Sequence, residues 1–189
     1  RLDKATFFTD SRSPEMHDFV ELLLLHMDRA GYRLVLETEL PTVQQLSTRL
    51  GNADDIAQSD LLRGTNRESS NQQIAIARPN PLHRKVQQTL IEPIRETAQR
   101  YSQHPSFAGL SIRLNTNSQF LFAGDRWGYN DDLVKQFSAD SNVHISNDAQ
   151  QKLQLFSGPA RFRYINWRAK QLTKFYAQIA QVLTAENPD

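Results

Sequence analysis

The chain has 189 residues, of which 39% are hydrophobic and 23% are charged, values that are ordinary for a globular protein. Its 22 basic and 21 acidic residues give a net charge of +1, so no broad electrostatic field indicates nucleic acid or an anionic membrane as a partner. The absence of cysteine excludes disulfides, thiolate nucleophiles and cysteine-based zinc sites. No apolar stretch is long enough to predict membrane insertion or a signal peptide.

The first predicted elements are a strand, a helix and a second strand. The short apolar run from Ala5 to Thr9 predicts a strand. A helix is predicted from Pro14 to Ala30, because Ser13 suits the N-cap and Gly31 suits a left-handed C-cap. Residues then alternate between apolar and polar from Tyr32 to Leu40, which predicts the next strand.

The rest of the chain is predicted to contain an insertion, three helices and one more strand. The polar segment at about 42–80 predicts the insertion. Apolar residues at helical spacing predict a helix from Leu82 to Gln103, and alternation predicts a strand from Phe107 to Leu114. A short helix is predicted from Asn130 to Phe137, and a long one follows Gly158-Pro159 and continues to about Leu183. The apolar face of this last helix is predicted to comprise Phe162, Ile165, Ala169, Leu172, Tyr176, Ile179 and Leu183.

Strands that alternate with helices of this length predict parallel βαβ units and the α/β class. Polar residues occupy the face of both long strands that lies opposite the helices, namely Glu37, Glu39, Ser111, Arg113 and Asn115. Since a doubly wound sheet is apolar on both faces, this polar face favours a partial or complete (β/α) TIM-type barrel with parallel strands and outer helices. A complete barrel needs about 250 residues. Residues 1–189 are therefore predicted to form a single barrel segment with the polar insertion.

Three segments of the sequence together resemble a known family. They are residues 80–88, residues 101–110 with the series His-Pro-Ser-Phe-Ala-Gly-Leu, and residues 127–132 with the series Trp-Gly-Tyr-Asn-Asp-Asp. They resemble the family-10-like glycosylhydrolase barrels of large bacterial proteins. Residues 137–145, 167–169 and 174–176 are also similar to the barrel of β-galactosidase-type clan A glycoside hydrolases. The resemblance implies that about three of eight barrel strands are present, and that carbohydrate binds at their C-terminal ends.

The strand end that carries the catalytic acid in clan A departs from that pattern here. Those enzymes end the strand with Asn-Glu, whereas this chain has Asn115-Thr116. A hydroxyl does not exchange protons near neutral pH as a tuned carboxylic acid does. Glu39 at the end of the preceding strand is the catalytic candidate, and it is also placed to bind sugar hydroxyls. The second carboxylate of a glycosidase pair is expected on a later strand, outside this chain.

Substrate-binding candidates lie at the same strand ends. Glu37, Arg113 and Asn115 carry groups that hydrogen-bond sugar hydroxyls. The structural alternatives are that Glu37 pairs with Arg113 inside the barrel, and that Asn115 holds the following loop in place.

Two further candidates, Asp125 and Trp127, lie in the loop after the second long strand. The indole face of Trp127 can stack on the apolar face of a pyranose ring, and the Asp125 carboxylate can bind its hydroxyls. The alternative is that Trp127 anchors this loop against the helix that begins near Asn130.

These observations predict a glycoside-hydrolase-like barrel domain that acts on or binds polysaccharide at the C-terminal ends of its strands. The alternatives are a non-catalytic carbohydrate-binding domain that has lost the acid/base carboxylate, and a purely architectural domain. No metal or cofactor is expected, because the five histidines form no HExxH pair or close cluster. The expected partners are carbohydrate and the rest of a larger polypeptide, since the chain begins at Arg1 rather than at methionine. An extracytoplasmic location would suit such a bacterial protein.

Overall fold

The computed structural model describes residues 18–38, 61–64, 78–114, 121–122, 124–146, 148–158 and 160–186. These residues form five α-helices and two β-strands. In chain order the elements are α1 (Phe19–Ala30), β1 (Leu34–Thr38), α2 (Arg84–Tyr101), β2 (Phe107–Ile112), α3 (Asp131–Ser141), α4 (Ala149–Ser157) and α5 (Arg161–Glu186). The strand predicted from Ala5 to Thr9 lies outside the described residues.

The chain divides into two compact units. Unit 1 comprises the described residues within 1–39, 94–113 and 182–189, and unit 2 comprises those within 40–93 and 114–181. Unit 1 therefore contains α1, β1, β2 and the C-terminal part of α2, while unit 2 contains α3, α4 and most of α5. The single segment expected over residues 1–189 stays a prediction.

Helix α1 has specific signals at both of its ends. Asp18, rather than the predicted Ser13, is the N-cap, and its side chain accepts two backbone N–H groups of the first turn at 3.1 Å. At the other end Gly31 adopts the predicted left-handed conformation with φ 72°, and its N–H donates to the Asp28 carbonyl at 3.3 Å. Glycine has no Cβ, so it adopts this conformation at little cost and ends the helix here.

Strands β1 and β2 form a parallel sheet, as the alternation of strands and helices predicted. Leu34 lies opposite Phe107 and Val35 lies opposite Gly109, so Ala108 is an extra, unpaired residue in β2. The sequence alternation alone would put Ala108 on the buried face. In the structure Phe107 is buried there instead and Ala108 is exposed, because the irregularity shifts the alternation by one residue.

The core of unit 1 is small and mostly aliphatic. Its buried members are Val20, Leu24, Tyr101 and Phe107, and Leu34, Leu36 and Leu110 pack against them from the sheet. Full burial of one such side chain stabilises the fold by about 1.5–3 kcal/mol. The opposite face of the sheet is open among the described residues, where Val35 is 59% exposed.

The core of unit 2 is larger and dominated by aromatic rings. Its buried members are Tyr129, Leu133, Val134, Phe137, Phe156, Ala160, Tyr164 and Trp167. Phe137 meets Tyr164 edge to face with ring centroids 5.0 Å apart, and Tyr164 stacks on Trp167 at 5.7 Å. Such pairs contribute about 0.5–1.5 kcal/mol each beyond the burial of area.

Part of the predicted insertion packs into unit 2. Leu62 is completely buried, and the segment around it is held by Asn130 at the start of α3. The Asn130 side chain accepts from the Arg63 N–H at 3.2 Å and donates to the Leu61 carbonyl at 2.6 Å. Asn130 is therefore the N-cap residue by position, as predicted, but its side chain fixes a neighbouring segment and makes no cap hydrogen bond.

The last two helices differ from the sequence expectation. Helix α4 has no counterpart among the predicted elements. Helix α5 begins near the predicted position, but its buried residues are Tyr164, Trp167, Arg168, Phe175 and Ile179, of which the sequence predicted only Ile179 on the apolar face. Phe162 was predicted on the apolar face and is 74% exposed. The aromatic cluster of unit 2 selects the buried face of α5, and helical spacing alone could not indicate which of two apolar stripes would meet it.

The described residues thus form a mixed α/β protein with a two-stranded parallel sheet. The described residues do not show the complete eight-stranded barrel that the sequence analysis allowed, because they contain two strands and are mostly helical. Within those parts, every helix is too short or too polar to traverse a lipid bilayer.

Candidate functional site

Two of the predicted site residues meet at the carboxyl ends of the parallel strands. Glu37 is the second-to-last residue of β1 and lies opposite Ser111 of β2. Arg113 is the first residue after β2. Arg113 Nη2 donates a hydrogen bond to Glu37 Oε1. The Glu37 and Arg113 side chains are 49% and 50% exposed, respectively. The predicted ion pair is therefore present, but on an exposed surface and not inside a barrel.

Three residues of the sequence argument lie outside the described residues. They are Glu39, the predicted catalytic residue, Asn115, a predicted substrate-binding residue, and Thr116. Their roles stay predictions.

Asp125 lies on the surface of unit 2 and forms an ion pair with Arg161, the first residue of α5. The hydrogen bond from the Arg161 guanidinium holds the pKa of Asp125 below its ordinary value of 3.8. The two side chains are 47% and 43% exposed, so water screens their attraction and the pair adds little stability. The carboxylate oxygens remain accessible to solvent and to a bound molecule.

Trp127 is buried rather than displayed on the loop surface. Only 6% of this residue is exposed. Its backbone N–H donates to the Gly124 carbonyl at 3.4 Å, and its backbone forms an isolated antiparallel bridge with Gly64. This environment fits the anchoring alternative, because little of the indole face is available to a sugar ring.

Arg168 on α5 is a buried cation that the sequence analysis did not single out as a site residue. Only 4% of it is exposed, and its guanidinium carbon lies 4.5 Å from the Phe122 ring centroid, 5.3 Å from that of Tyr129 and 5.2 Å from that of Tyr164. Nη1 donates to the Trp127 carbonyl oxygen, whereas Nε has no hydrogen-bond partner among the described residues. Burial lowers the pKa of Arg168 below its ordinary value. Three ring faces thus supply the electrostatic stabilisation that a carboxylate usually gives.

Gly128 makes this arrangement possible. Its φ is 86°, in the left-handed region, and the Tyr164 hydroxyl donates to its carbonyl at 2.6 Å. A Cβ at this position would lie 2.7 Å from Arg168 Nη1 and would overlap Phe122. The loop therefore needs glycine here for both its backbone conformation and its close approach to the arginine.

A second buried titratable group, His104, lies in unit 1 between two carboxylates of α1. Nδ1 is 2.7 Å from Asp28 Oδ2, and Nε2 is 3.0 Å from Glu21 Oε1. The Nε2 contact has ion-pair distance but lacks the alignment of a hydrogen bond. The sequence offered one signal for this cluster, namely that Glu21 and Asp28 are seven residues apart and so share a helix face. Nothing in the sequence pairs that face with His104.

Among the described residues, no group of three or more histidine, aspartate or glutamate side chains is arranged to hold a metal ion.

No protein-family model matches the chain, and no match was found among curated proteins or solved structures. The predicted relationship to the family-10-like and clan A glycosylhydrolase barrels is therefore wrong. It is overturned by the absence of a family match together with the architecture, in which the described residues contribute two parallel strands and mostly helices.

Proposed function

We propose that the protein binds carbohydrate through the exposed carboxyl edge of the β1–β2 sheet, with Glu37 and Arg113 as the hydrogen-bonding groups. The observation that carries this proposal is the solvent-exposed Glu37–Arg113 pair at the ends of two parallel strands. Ligands of parallel α/β sheets characteristically bind at the carboxyl ends of the strands.

The chemistry of the pair suits sugar hydroxyls. A hydroxyl both donates and accepts, so it can donate to the Glu37 carboxylate and accept from the Arg113 guanidinium. An ion pair that is half exposed contributes only about 0–1 kcal/mol. A bound sugar could therefore insert between the two groups, or bridge them, without losing a large stabilising interaction.

We further infer that β1 and β2 belong to a partial barrel-like sheet. Two features support this inference: the strands are parallel, and no described residue covers one face of the sheet, where Val35 is 59% exposed. Parallel sheets are almost always covered on both faces, so a lone two-stranded sheet with one bare face is unusual.

Binding is better supported than hydrolysis. A glycosidase needs a carboxylic acid that donates a proton to the leaving oxygen. Glu37 is instead engaged as the acceptor of a hydrogen bond from the Arg113 guanidinium. Hydrolysis would depend on Glu39, for which the sequence is the only evidence.

Binding can be tested by titrating neutral cello-, xylo- and galacto-oligosaccharides into the full chain and following amide chemical shifts by NMR. We expect shifts at the carboxyl ends of β1 and β2, and at least tenfold weaker binding for Glu37→Gln. The glutamine keeps the side-chain shape but removes the ion pair and the negative charge. Release of reducing ends, measured in parallel for the wild type and Glu39→Gln, would reveal hydrolysis.

Asp125→Asn is the matched control, because Asp125 is also a half-exposed carboxylate paired with an arginine. If Asp125→Asn abolishes binding while Glu37→Gln leaves it unchanged, the ligand binds at the loop of unit 2 and the proposed edge site is wrong. If no oligosaccharide binds at millimolar concentration, carbohydrate binding itself is wrong, and the architectural alternative gains support.

A further inference from the structure

The interactions around His104 connect α1 to the turn that leads into β2. Asp28 Oδ2 forms a hydrogen bond with His104 Nδ1, and Asp28 Oδ1 accepts a hydrogen bond from the backbone N–H of Ser106 at 2.7 Å. The Ser106 hydroxyl donates to the Leu24 carbonyl at 3.0 Å, and the Leu34 N–H donates to the Ser106 carbonyl at 2.6 Å. This one corner therefore joins the helix to the first residues of both strands.

The two ring nitrogens of His104 impose a protonation requirement on this corner. A neutral imidazole has one N–H, so one nitrogen would direct a lone pair at a carboxylate oxygen. The imidazolium form has an N–H on each nitrogen and can face Asp28 and Glu21 together. His104 is only 6% exposed, so water can do little to relieve an unfavourable contact.

We propose that His104 is a proton-controlled clasp, which holds α1 to the β1–β2 sheet when the ring is doubly protonated and loosens this attachment when the ring loses a proton. Unit 1 then tightens in mildly acidic solution and opens more readily above neutral pH. This inference does not depend on carbohydrate binding.

The pKa directions agree with the geometry. Burial lowers the pKa of His104, but the hydrogen bond to Asp28 and the nearby Glu21 carboxylate together outweigh burial and leave the pKa above its ordinary value of 6.5. Hydrogen bonds from Ser106 and His104 lower the pKa of Asp28 from 3.8. A raised histidine pKa adds stability that is complete below 6.5 and is lost as the pH rises through the folded-state value. A lowered aspartate pKa adds stability that is complete above 3.8 and is lost as the pH falls through the folded-state value. The clasp is thus strongest between about pH 3.8 and 6.5.

Two further charged groups of unit 1, Asp18 and Arg100, are paired with each other. The carboxylate of Asp18, the N-cap of α1, forms an ion pair with Arg100 of α2 at 2.8 Å and accepts a hydrogen bond from the Tyr101 hydroxyl at 2.9 Å. Burial, reinforced by the hydrogen bond to Asp18, raises the pKa of Tyr101, which keeps the phenol neutral. Leu34, Leu36, Phe107 and Leu110 are the hydrophobic residues that β1 and β2 contribute to the core cluster that contains Val20 and Leu24 of α1.

The test is a pH series on the full chain with two measurements. The ring resonances of His104, assigned by comparison with His104→Gln, should titrate above 6.5 in the wild type, and at lower pH in Asp28→Asn and Glu21→Gln. Hydrogen exchange of α1 and β1 amides, corrected for the intrinsic pH dependence of exchange, should show the opening equilibrium rising between pH 6 and 9. That rise should total about tenfold for each pKa unit between the folded and unfolded ring.

His26→Gln is the matched control, because His26 is an exposed histidine of α1, the helix whose hydrogen exchange is measured. It should leave the exchange profile of α1 unchanged, whereas His104→Gln should flatten it. The proposal fails if the His104 ring titrates below 6.5, or if opening of α1 does not depend on pH in the wild type. Hydrogen exchange is measured on the wild type alone, so this measurement remains decisive even if a variant does not fold.

Discussion

The two units of this protein each bury a cation, and they stabilise it in opposite ways. In unit 2, Arg168 lies among three aromatic rings and donates to a backbone carbonyl. In unit 1, His104 lies between two carboxylates. The guanidinium keeps its charge at any pH that proteins experience, whereas the imidazole can lose its proton near neutrality. Burial of a positive charge is therefore a fixed feature of unit 2 and a pH-dependent one of unit 1.

The hydrophobic cores of the two units also differ in size and composition. Unit 2 packs five aromatic residues against one another, whereas the core of unit 1 has two aromatic rings, Tyr101 and Phe107, among a few aliphatic side chains. A small core contributes less free energy of unfolding, so a single polar cluster accounts for a larger share of it. The comparison indicates that unit 1 is the part of the protein whose stability should respond to pH.

The largest expected effect is the loss of a ring from the core of unit 2. Phe137 is 1% exposed and contacts three other aromatic rings, so Phe137→Ala should lower the free energy of unfolding by about 3–5 kcal/mol. Phe162→Ala is the control, because Phe162 is 74% exposed and should change stability by less than about 0.5 kcal/mol. Urea unfolding followed by tryptophan fluorescence measures this directly, since both tryptophans lie in unit 2. Equal effects of the two substitutions would contradict the described packing of α5.

A smaller effect is expected where the loop of unit 2 approaches Arg168. Gly128→Ala should cost about 2–3 kcal/mol, because the added Cβ meets Phe122 and the guanidinium while the backbone stays left-handed. Gly31 in unit 1 also has a left-handed backbone, but a Cβ added there would have no other atom within 4 Å. Gly31→Ala should therefore lower the free energy of unfolding by about 1 kcal/mol. Thermal or urea unfolding of both variants measures the difference. Similar costs would mean that the tight contact around Gly128 is not a feature of the folded protein.

The smallest effect should come from exchanging one cation for another. Arg168→Lys should lower stability by about 1–2 kcal/mol at pH 6, because an ammonium lacks the planar fork that stacks on the rings and reaches the carbonyl of Trp127. Burial depresses a lysine pKa below its unfolded value of about 10.4, so the folded variant would bind fewer protons and regain stability as the pH rises toward 9.

This pH dependence is the most direct test of the comparison between the units, because Arg168 itself contributes no pH dependence to the stability of the wild type. Arg161→Lys, an exposed arginine at the start of the same helix, should show neither the loss nor the recovery. Tryptophan fluorescence at pH 6 and pH 9 measures both variants. A loss for Arg168→Lys that is the same at both pH values would mean that the lysine stays charged in its aromatic surroundings.

Local signals accounted for the elements that the sequence predicted well. Gly31 ended α1 where a left-handed residue was expected, and the alternation of β1 gave its buried and exposed faces. The parallel pairing and the contact between Glu37 and Arg113 followed from the order of the elements and the parity of the strands. The predicted alternation of buried and exposed residues was wrong at Phe107. The bulge in β2 arises from the pairing of the two strands, and the alternation of apolar and polar residues does not indicate it.

The sequence by itself indicated the central parts of α1, β1, α2, β2, α3 and α5 and the glycine that ends α1, because glycines and side-chain periodicity act within a few residues of the backbone. It missed α4 and placed the N-cap of α1 at Ser13 instead of Asp18. Tertiary structure alone decided that Trp127 is an anchor, that Phe162 faces solvent, and which partners surround Arg168 and His104. Those outcomes depend on contacts between segments far apart in the chain, and the free energy of burying a charge is set by whichever groups the fold brings around it.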